Sequence, residues 1–450
     1  MFHSVAALAY GLLIGTLFYW NRDSTERVSG ALWIPVVWLS ICASRAVSQW
    51  LGEVGSDANE FVEGNALDAF IFFCLLVAGL VALRTRAPTV KALLRANSLL
   101  LIFFAYCALS VVWSDYPIVA FKRWVKAVGD LVMILLVLTD SQPTAALKRL
   151  LARVGFVLVP VSVLLIKHYP SLGRAYSPWN GEAFNIGVAT HKSSLGYVCL
   201  IFGLGALWCL LEAHQGKDRA RGPGPLLAQG ALLALVLWLF RMADSATSLT
   251  CFLIGGALMT ATKWFTAARK PIVVHLLVGT ILSVVAYGLL INPDAGLVEK
   301  VGRDPTLTGR TALWGQLLGT NTSPWFGVGY ESFWLGERLE RIWDNEKSQQ
   351  RVNQAHNGYL EIFLNLGWVG VVLLGLVAVQ GYGATARMLR LDSALGRIKL
   401  ACFVVAAIYN LTEHAFRELH PVWIGFLLAV VVIPEPRNQS PSGKVTRPQG

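Results

Sequence analysis

The sequence predicts an all-α, polytopic membrane protein of about 12–13 transmembrane helices with one long periplasmic loop that carries short amphipathic helices. Three observations carry that prediction. Hydrophobic residues make up 55% of the 450 and charged residues 14%, with a mean hydropathy of +0.55, which cannot coat a soluble surface of this size. Apolar runs near the spanning length of roughly 17 to 25 residues recur along most of the chain. Lys and Arg also gather in alternate loops, as the positive-inside rule requires.

The expected spans lie near 3–20, 31–50, 65–83, 98–114, 127–139, 151–166, 195–212, 225–242, 246–262, 273–291, 358–382, 400–412 and 421–433, with 127–139 and 421–433 the shortest. No Lys or Arg precedes Trp20, and Arg22 and Arg27 follow it. This order suits an uncleaved first span with its N-terminus outside. The loops after the first, third, fifth, seventh, ninth and eleventh runs, with the tail, hold 22 Lys and Arg; the opposite loops hold 14 over far more residues. The first set is therefore expected in the cytoplasm, and the loop 292–356 outside. The resulting division is ten helices in 1–291, a periplasmic loop at 292–356, three helices in 357–433 and a disordered cytoplasmic tail at 434–450.

Composition also removes function classes. The net charge of +11 lies mostly in short cytoplasmic loops, where topology alone calls for it, so no nucleic-acid partner is expected. All seven cysteines sit inside apolar runs with no metal-ligand spacing, and read as small packing residues.

The unusual residues collect in three external stretches. VVWSDYPIVAFKRWVK, Val111 to Lys126, ends a span in Trp113 and then sets three cations on the side the charge rule leaves poor. They are interfacial anchors or the partners of an anionic ligand. Lys167 to Ser193 is rich in aromatics and glycines and ends in His191 and Lys192 at a helix start, where backbone N–H groups favour anions. The third and longest loop contains DPTLTGRTALWGQLLGT, whose pattern predicts a helix starting near Arg310 with Thr308 or Gly309 as its cap. A cation in a first helical turn calls for an anion beside it. YESFWLGERLERIW predicts an amphipathic helix on the outer leaflet, or a buried lid. His356 and Asn357 stand at the mouth of the next span, with Glu361 one turn inside. Within the spans, Arg45 is read as snorkelling from its helix end, and Arg241, near the external end of 225–242, as functional.

VVWSDYPIVAFKRW, FNIGVATHKSSLGY, TGRTALWGQLL, SPWFGVGYESFW and AHNGYLEIFLNLGWVG, in that order from Val111 to Leu374, resemble the bacterial O-antigen ligase and exopolysaccharide polymerase family. ALWIPVVWLSICASRAVSQWL is more similar to the polymerase branch. The resemblance implies a bacterial inner-membrane glycosyltransferase with a polyprenyl-diphosphate-linked oligosaccharide donor and a lipid-linked glycan acceptor, working beside membrane lipid and other polysaccharide export components. It implies that Arg310 meets the donor diphosphate and that His356 is the essential histidine near the reacting hydroxyl. His191 and Lys192 match the family's His-Lys pair, and Glu413 matches an acidic position. The family's second cation is missing from Ser245-Ala246-Thr247; Arg241, one turn earlier, is the expected substitute.

Elementary chemistry agrees. Breaking an anomeric C–O bond to diphosphate builds negative charge that a planar guanidinium stabilises. An attacking hydroxyl needs a base near neutral pH, the range of histidine. No external Asp-x-Asp pair is present to hold a divalent ion, so metal-independent chemistry without a cofactor is expected. A ligase that passes glycan to lipid A core is the alternative within the family. A polysaccharide or lipid transporter is the alternative outside it, but a transporter places its polar residues near mid-membrane.

Overall fold

The computed structural model describes residues 2–22, 27–52, 64–177, 181–213, 222–287, 307–320, 322–345 and 352–434. The loop segment 292–306, the cations Lys217, Arg219 and Arg221, and the tail beyond 434 lie outside the described residues.

The described residues are mostly helical, as an all-α polytopic membrane protein should be, with one two-stranded ribbon among them, β1 (Arg174–Tyr176) and β2 (Ala183–Asn185). Each of the thirteen expected runs contains a helix: α1 (Phe2–Trp20), α2 (Trp33–Cys42) with the single turn α3 (Val47–Trp50), α4 (Ala66–Arg84), α5 (Ala87–Ala96) with α6 (Ser98–Ser110), α7 (Pro117–Leu138), and α8 (Pro143–His168) with the turn α9 (Pro170–Gly173). Then follow α10 (Lys192–Ala213), α11 (Gly224–Ala243), α12 (Ala246–Trp264), α13 (Pro271–Ala286), and, past the long loop, α16 (Gly358–Leu391), α17 (Ser393–Tyr409) and α18 (Pro421–Val430). The long loop contributes α14 (Leu307–Leu318) and α15 (Gly336–Asn345). Among the described residues, six helices are long and apolar enough to cross a membrane, and the pair α5–α6, bent by 85°, raises this to seven. The other runs form helices too short or too polar to qualify by length and composition alone. The cationic stretch after α4 is thus partly helical, turned across the end of α6. Asn97 holds the corner, its amide donating to the Leu93 and Val432 carbonyls and its Oδ1 accepting from Val432 N–H.

Loops assigned to one face by their charge meet one another. At one end Arg86 and Ser29 N–H share Asp140, Thr144 reaches Asp392, and Arg397 grips Glu212. At the other, Arg45 binds the carbonyls of Gly187 and Ala189, Ser110 meets Tyr330, and Arg310 meets Thr412. Arg45, read as a snorkelling side chain, thus clamps the loop that leads to His191, and its guanidinium also stacks on Trp50.

One break in a helix shapes the second end. α16 is interrupted at Gly367, with φ 63°, and Trp325-Phe326-Gly327 runs alongside. Gly329 N–H donates to the Asn365 carbonyl at 2.9 Å, and Trp368 N–H to the Pro324 carbonyl at 2.9 Å, so backbone groups freed by the break are paired again. A Cβ on Gly367 would strike the Trp325 carbonyl, and one on Gly327 would strike Asn365. Both positions need glycine for positive φ and for close approach. Asn365 completes the joint by accepting from Ser332 and Phe333 N–H.

The helix expected on the outer leaflet is instead α15, and its apolar side faces protein. Leu339 and Ile342 are buried, Ile342 in a small core with Leu313, Leu317, Phe333 and Leu364. An amphipathic pattern suits either surface. Here α14 and the first turns of α16 supply it.

Candidate active site

Three elements converge on the second end. α14 begins at Leu307, three residues before the expected start, so Arg310 closes the first turn rather than opening it. Its Nη1 donates to the Thr412 carbonyl at 2.9 Å.

α16 begins beside it. Asn357 Oδ1 caps the helix, accepting from Tyr359 and Leu360 N–H at 3.0 and 3.1 Å. His356 is therefore not the cap. The residue before it is pinned at both backbone groups: Ala355 N–H donates to Glu361 at 2.5 Å, and Trp314 Nε1 donates to the Ala355 carbonyl at 2.8 Å. Between these anchors and the Asn357 cap, His356 is held at φ 51°, a left-handed conformation uncommon for a histidine. Such conformations persist where surrounding contacts over-determine them, and they cluster at functional sites.

The third element is the turn between α17 and α18. Asn410 Oδ1 accepts from Ala415 and Phe416 N–H, both at 2.9 Å, folding the turn tightly. Gly358 N–H bonds the carbonyls of Asn410 and Glu413, tying this turn to the start of α16. Glu413 Oε2 then lies 3.8 Å from His356 Nδ1, which also stands 3.3 Å from Gln354 Nε2. Thr412 Oγ1 is 3.2 Å from Thr247 Oγ1, which brings in the first turn of α12.

His191 joins from the loop that Arg45 clamps. Its ring packs on Phe184 at 5.3 Å, and burial holds its pKa below the ordinary histidine range. The Lys192 ammonium acts in the same direction, as does the His356 ring when protonated, and Glu413 opposes them. His191, His356 and Glu413 therefore share one field, with Arg310 bound to the residue next to Glu413. Lys192 pairs with Asp244 at 3.9 Å just past the end of α11. Arg241 stands apart: it is exposed on the last turn of α11 and has no hydrogen bond or ion pair among the described residues.

Sequence reading missed a buried charged layer behind the site. His414, next to Glu413, lies between two carboxylates, with Nε2 3.6 Å from Glu331 and Nδ1 3.7 Å from Glu361. Glu361 also accepts from Trp334 Nε1 at 2.8 and 3.0 Å. Glu331 has φ 50°, and Arg123 donates to its carbonyl. Burial opposes charge on His414, yet Glu361 and Glu331 prevail and hold its pKa above the ordinary value, against Arg417. The counterpart is a Glu331 pKa held low by His414, Arg123 and Arg417 against its burial. The pKa of Glu418, half-buried beside this layer, is pushed up by desolvation and by Glu331. The three contact residues lie 30 and 53 positions apart in sequence, and no local motif joins them.

The protonated state of His414 stabilises the fold. Its folded pKa is raised, so that contribution is complete below the ordinary histidine value and is lost as pH rises through the raised one. Thermal unfolding of the purified protein should therefore show stability falling on the alkaline side of that ordinary value. His414→Gln should flatten this fall and cost roughly 3–5 kcal/mol by leaving the buried Glu361 carboxylate without its cation. An unchanged alkaline slope in the variant would rule out His414 as the titrating group.

Residues 226–375 match the family model described as O-antigen ligase, a stretch that contains Arg241, Arg310 and His356 but not His191 or Glu413. The chain is also similar to the exopolysaccharide production protein ExoQ of Rhizobium meliloti (strain 1021), 26% identical over 303 residues. That match covers 64% of this chain and 66% of the relative's length.

Proposed function

We propose that the protein is a metal-independent membrane glycosyltransferase that polymerises polyprenyl-diphosphate-linked oligosaccharide repeats into exopolysaccharide at the periplasmic face of the bacterial inner membrane. The observation that carries this reading is the meeting of Arg310, His356 and Glu413 at one end of the bundle, with Thr247 and His191 around them. An acceptor hydroxyl attacks the anomeric carbon of the donor sugar. His356 takes the hydroxyl proton, and Glu413 stabilises the imidazolium that results. The anomeric C–O bond breaks as the new glycosidic bond forms. Charge grows on the leaving diphosphate, where Arg310 receives it. The similarity to an exopolysaccharide production protein favours a lipid-linked glycan as acceptor; the O-antigen ligase description favours the second reading, transfer to lipid A core.

Purified protein in oriented vesicles, given polyprenyl-diphosphate oligosaccharide, should yield glycans lengthened by whole repeats together with free lipid diphosphate. Product should form only when the face bearing Arg310 meets substrate. A product that appears only after lipid A core is added would establish the ligase, and absence of both products would remove glycosyl transfer.

Arg241 fits the role of second donor cation because its exposed guanidinium keeps its donors available at the end of α11 nearest the site, where Asn185 binds the next residue's carbonyl. Arg241→Ala should lower turnover at least tenfold, the scale of one lost phosphate contact, about 1.4 kcal/mol. A wild-type rate would pass the role to Lys192.

A further inference from the structure

We infer that the cleft between α14, α15 and the turn at Asp115 and Tyr116 is a carbohydrate subsite that holds repeat units of the glycan beyond the reacting sugar. This inference rests on the glycosyltransferase reading. The cleft encloses about 560 Å³, inside the roughly 300–1,000 Å³ usual for ligand pockets. It is a built feature. Arg338 bridges α15 to Asp115 at 2.5 Å, and Gln316 of α14 donates to the Ile342 carbonyl at 3.3 Å. Gly336, with φ 55°, opens α15 where a side chain would collide with the Tyr116 hydroxyl.

The chemistry of the walls selects the ligand. Two carboxylates, Asp115 and Glu337, are each paired with a guanidinium, the second pair being Arg341 with Glu337 at 2.9 Å. The formal charges balance, which gives a free phosphate or polyanion no net attraction. A sugar hydroxyl, by contrast, donates to a carboxylate and accepts from a guanidinium at the same time. The half-buried Tyr116 ring supplies an apolar surface for the C–H side of a pyranose. Gln316 lies six residues beyond Arg310 on one helix, about 9 Å along its axis at 1.5 Å per residue. A donor whose diphosphate is held at Arg310 can therefore extend its later sugars toward the cleft.

The test uses the full chain in nanodiscs and oligosaccharides of one, two and three repeats cut from the source organism's own exopolysaccharide. Calorimetric titration of the wild type should show binding that tightens from one repeat to three. Thr320→Trp, which fills the cleft, and Arg341→Ala, which removes an exposed ion pair of little structural worth, should each weaken three-repeat binding at least tenfold. In the polymerisation assay both variants should make shorter chains, while coupling of a single repeat stays within twofold of wild type. Wild-type affinity and chain length in both variants, or no binding of three repeats by the wild type, would overturn the subsite. Binding that the variants lose, in a protein that elongates nothing, would keep the subsite and remove the polymerase reading.

Discussion

Arg310→Lys should cut turnover by about 10²-fold, close to 2.7 kcal/mol of transition-state stabilisation, while the protein folds and inserts normally. The argument begins with geometry. One guanidinium nitrogen of Arg310 donates to the Thr412 carbonyl at 2.9 Å, which holds the fork at the residue next to Glu413. Lysine keeps the charge and can keep that one bond, but an ammonium is a point charge and cannot span two phosphate oxygens in a fixed plane. The loss should appear in kcat rather than only in donor affinity, because charge on the diphosphate grows as the C–O bond breaks. Arg310→Ala should lose more and also loosen the turn that carries Thr412 and Glu413. The measurement is steady-state polymer formation with separate donor binding. A lysine variant as fast as wild type would leave Arg310 as a brace for that turn alone.

How much of this could be read from the chain depends on whether the information is local. The helical class and the position of every apolar run follow from hydropathy, which each segment carries by itself. The separation of the two ends followed from charge, because Lys and Arg record topology loop by loop. Arg310 and His191 drew notice from their places at helix starts, whereas the roles of His356 and Glu413 entered through the family resemblance. Their meeting was not legible, since it depends on the Gly358 contact to the 410–413 turn and on Arg45 holding the loop before His191. Three features were hidden for distinct reasons. The break at Gly367 is invisible in a mostly apolar run, because the partner that repairs it, 324–329, lies some 40 residues earlier. The apolar face of α15 is the same pattern whether lipid or α14 covers it. The layer of Glu331, Glu361 and His414 joins three separate segments, and single charged residues of that kind resemble ordinary loop and helix-end polarity until they are seen buried together. Arg241 drew notice as a charge deep in an apolar run, and the structure leaves its guanidinium exposed at the end of α11, where it is open to the donor role proposed above.

His356→Asn should abolish most turnover, by roughly 10³-fold, within the range found for loss of a general base, and leave donor binding near that of wild type. The substitution is chosen for the backbone. His356 has φ 51°, and asparagine is among the side chains that adopt this region most readily, so the loop need not rearrange. The cap on α16 belongs to Asn357, and Ala355 stays anchored by Glu361 and Trp314, so neither helix start nor loop should unravel. What asparagine lacks is a titrating nitrogen. In the wild type, Glu413 lies 3.8 Å from Nδ1, placed to stabilise the imidazolium once the other ring nitrogen has taken the acceptor's proton. Glu413→Gln should consequently slow turnover less than His356→Asn, because it removes the stabilising charge but not the base. The double variant should be no slower than His356→Asn alone, since Glu413 acts through that imidazole. Donor binding and polymer formation by the same purified proteins decide the matter. Tight binding with near-normal polymerisation in His356→Asn would remove the base assignment, and additive losses in the double variant would show that Glu413 works on the substrate independently of His356.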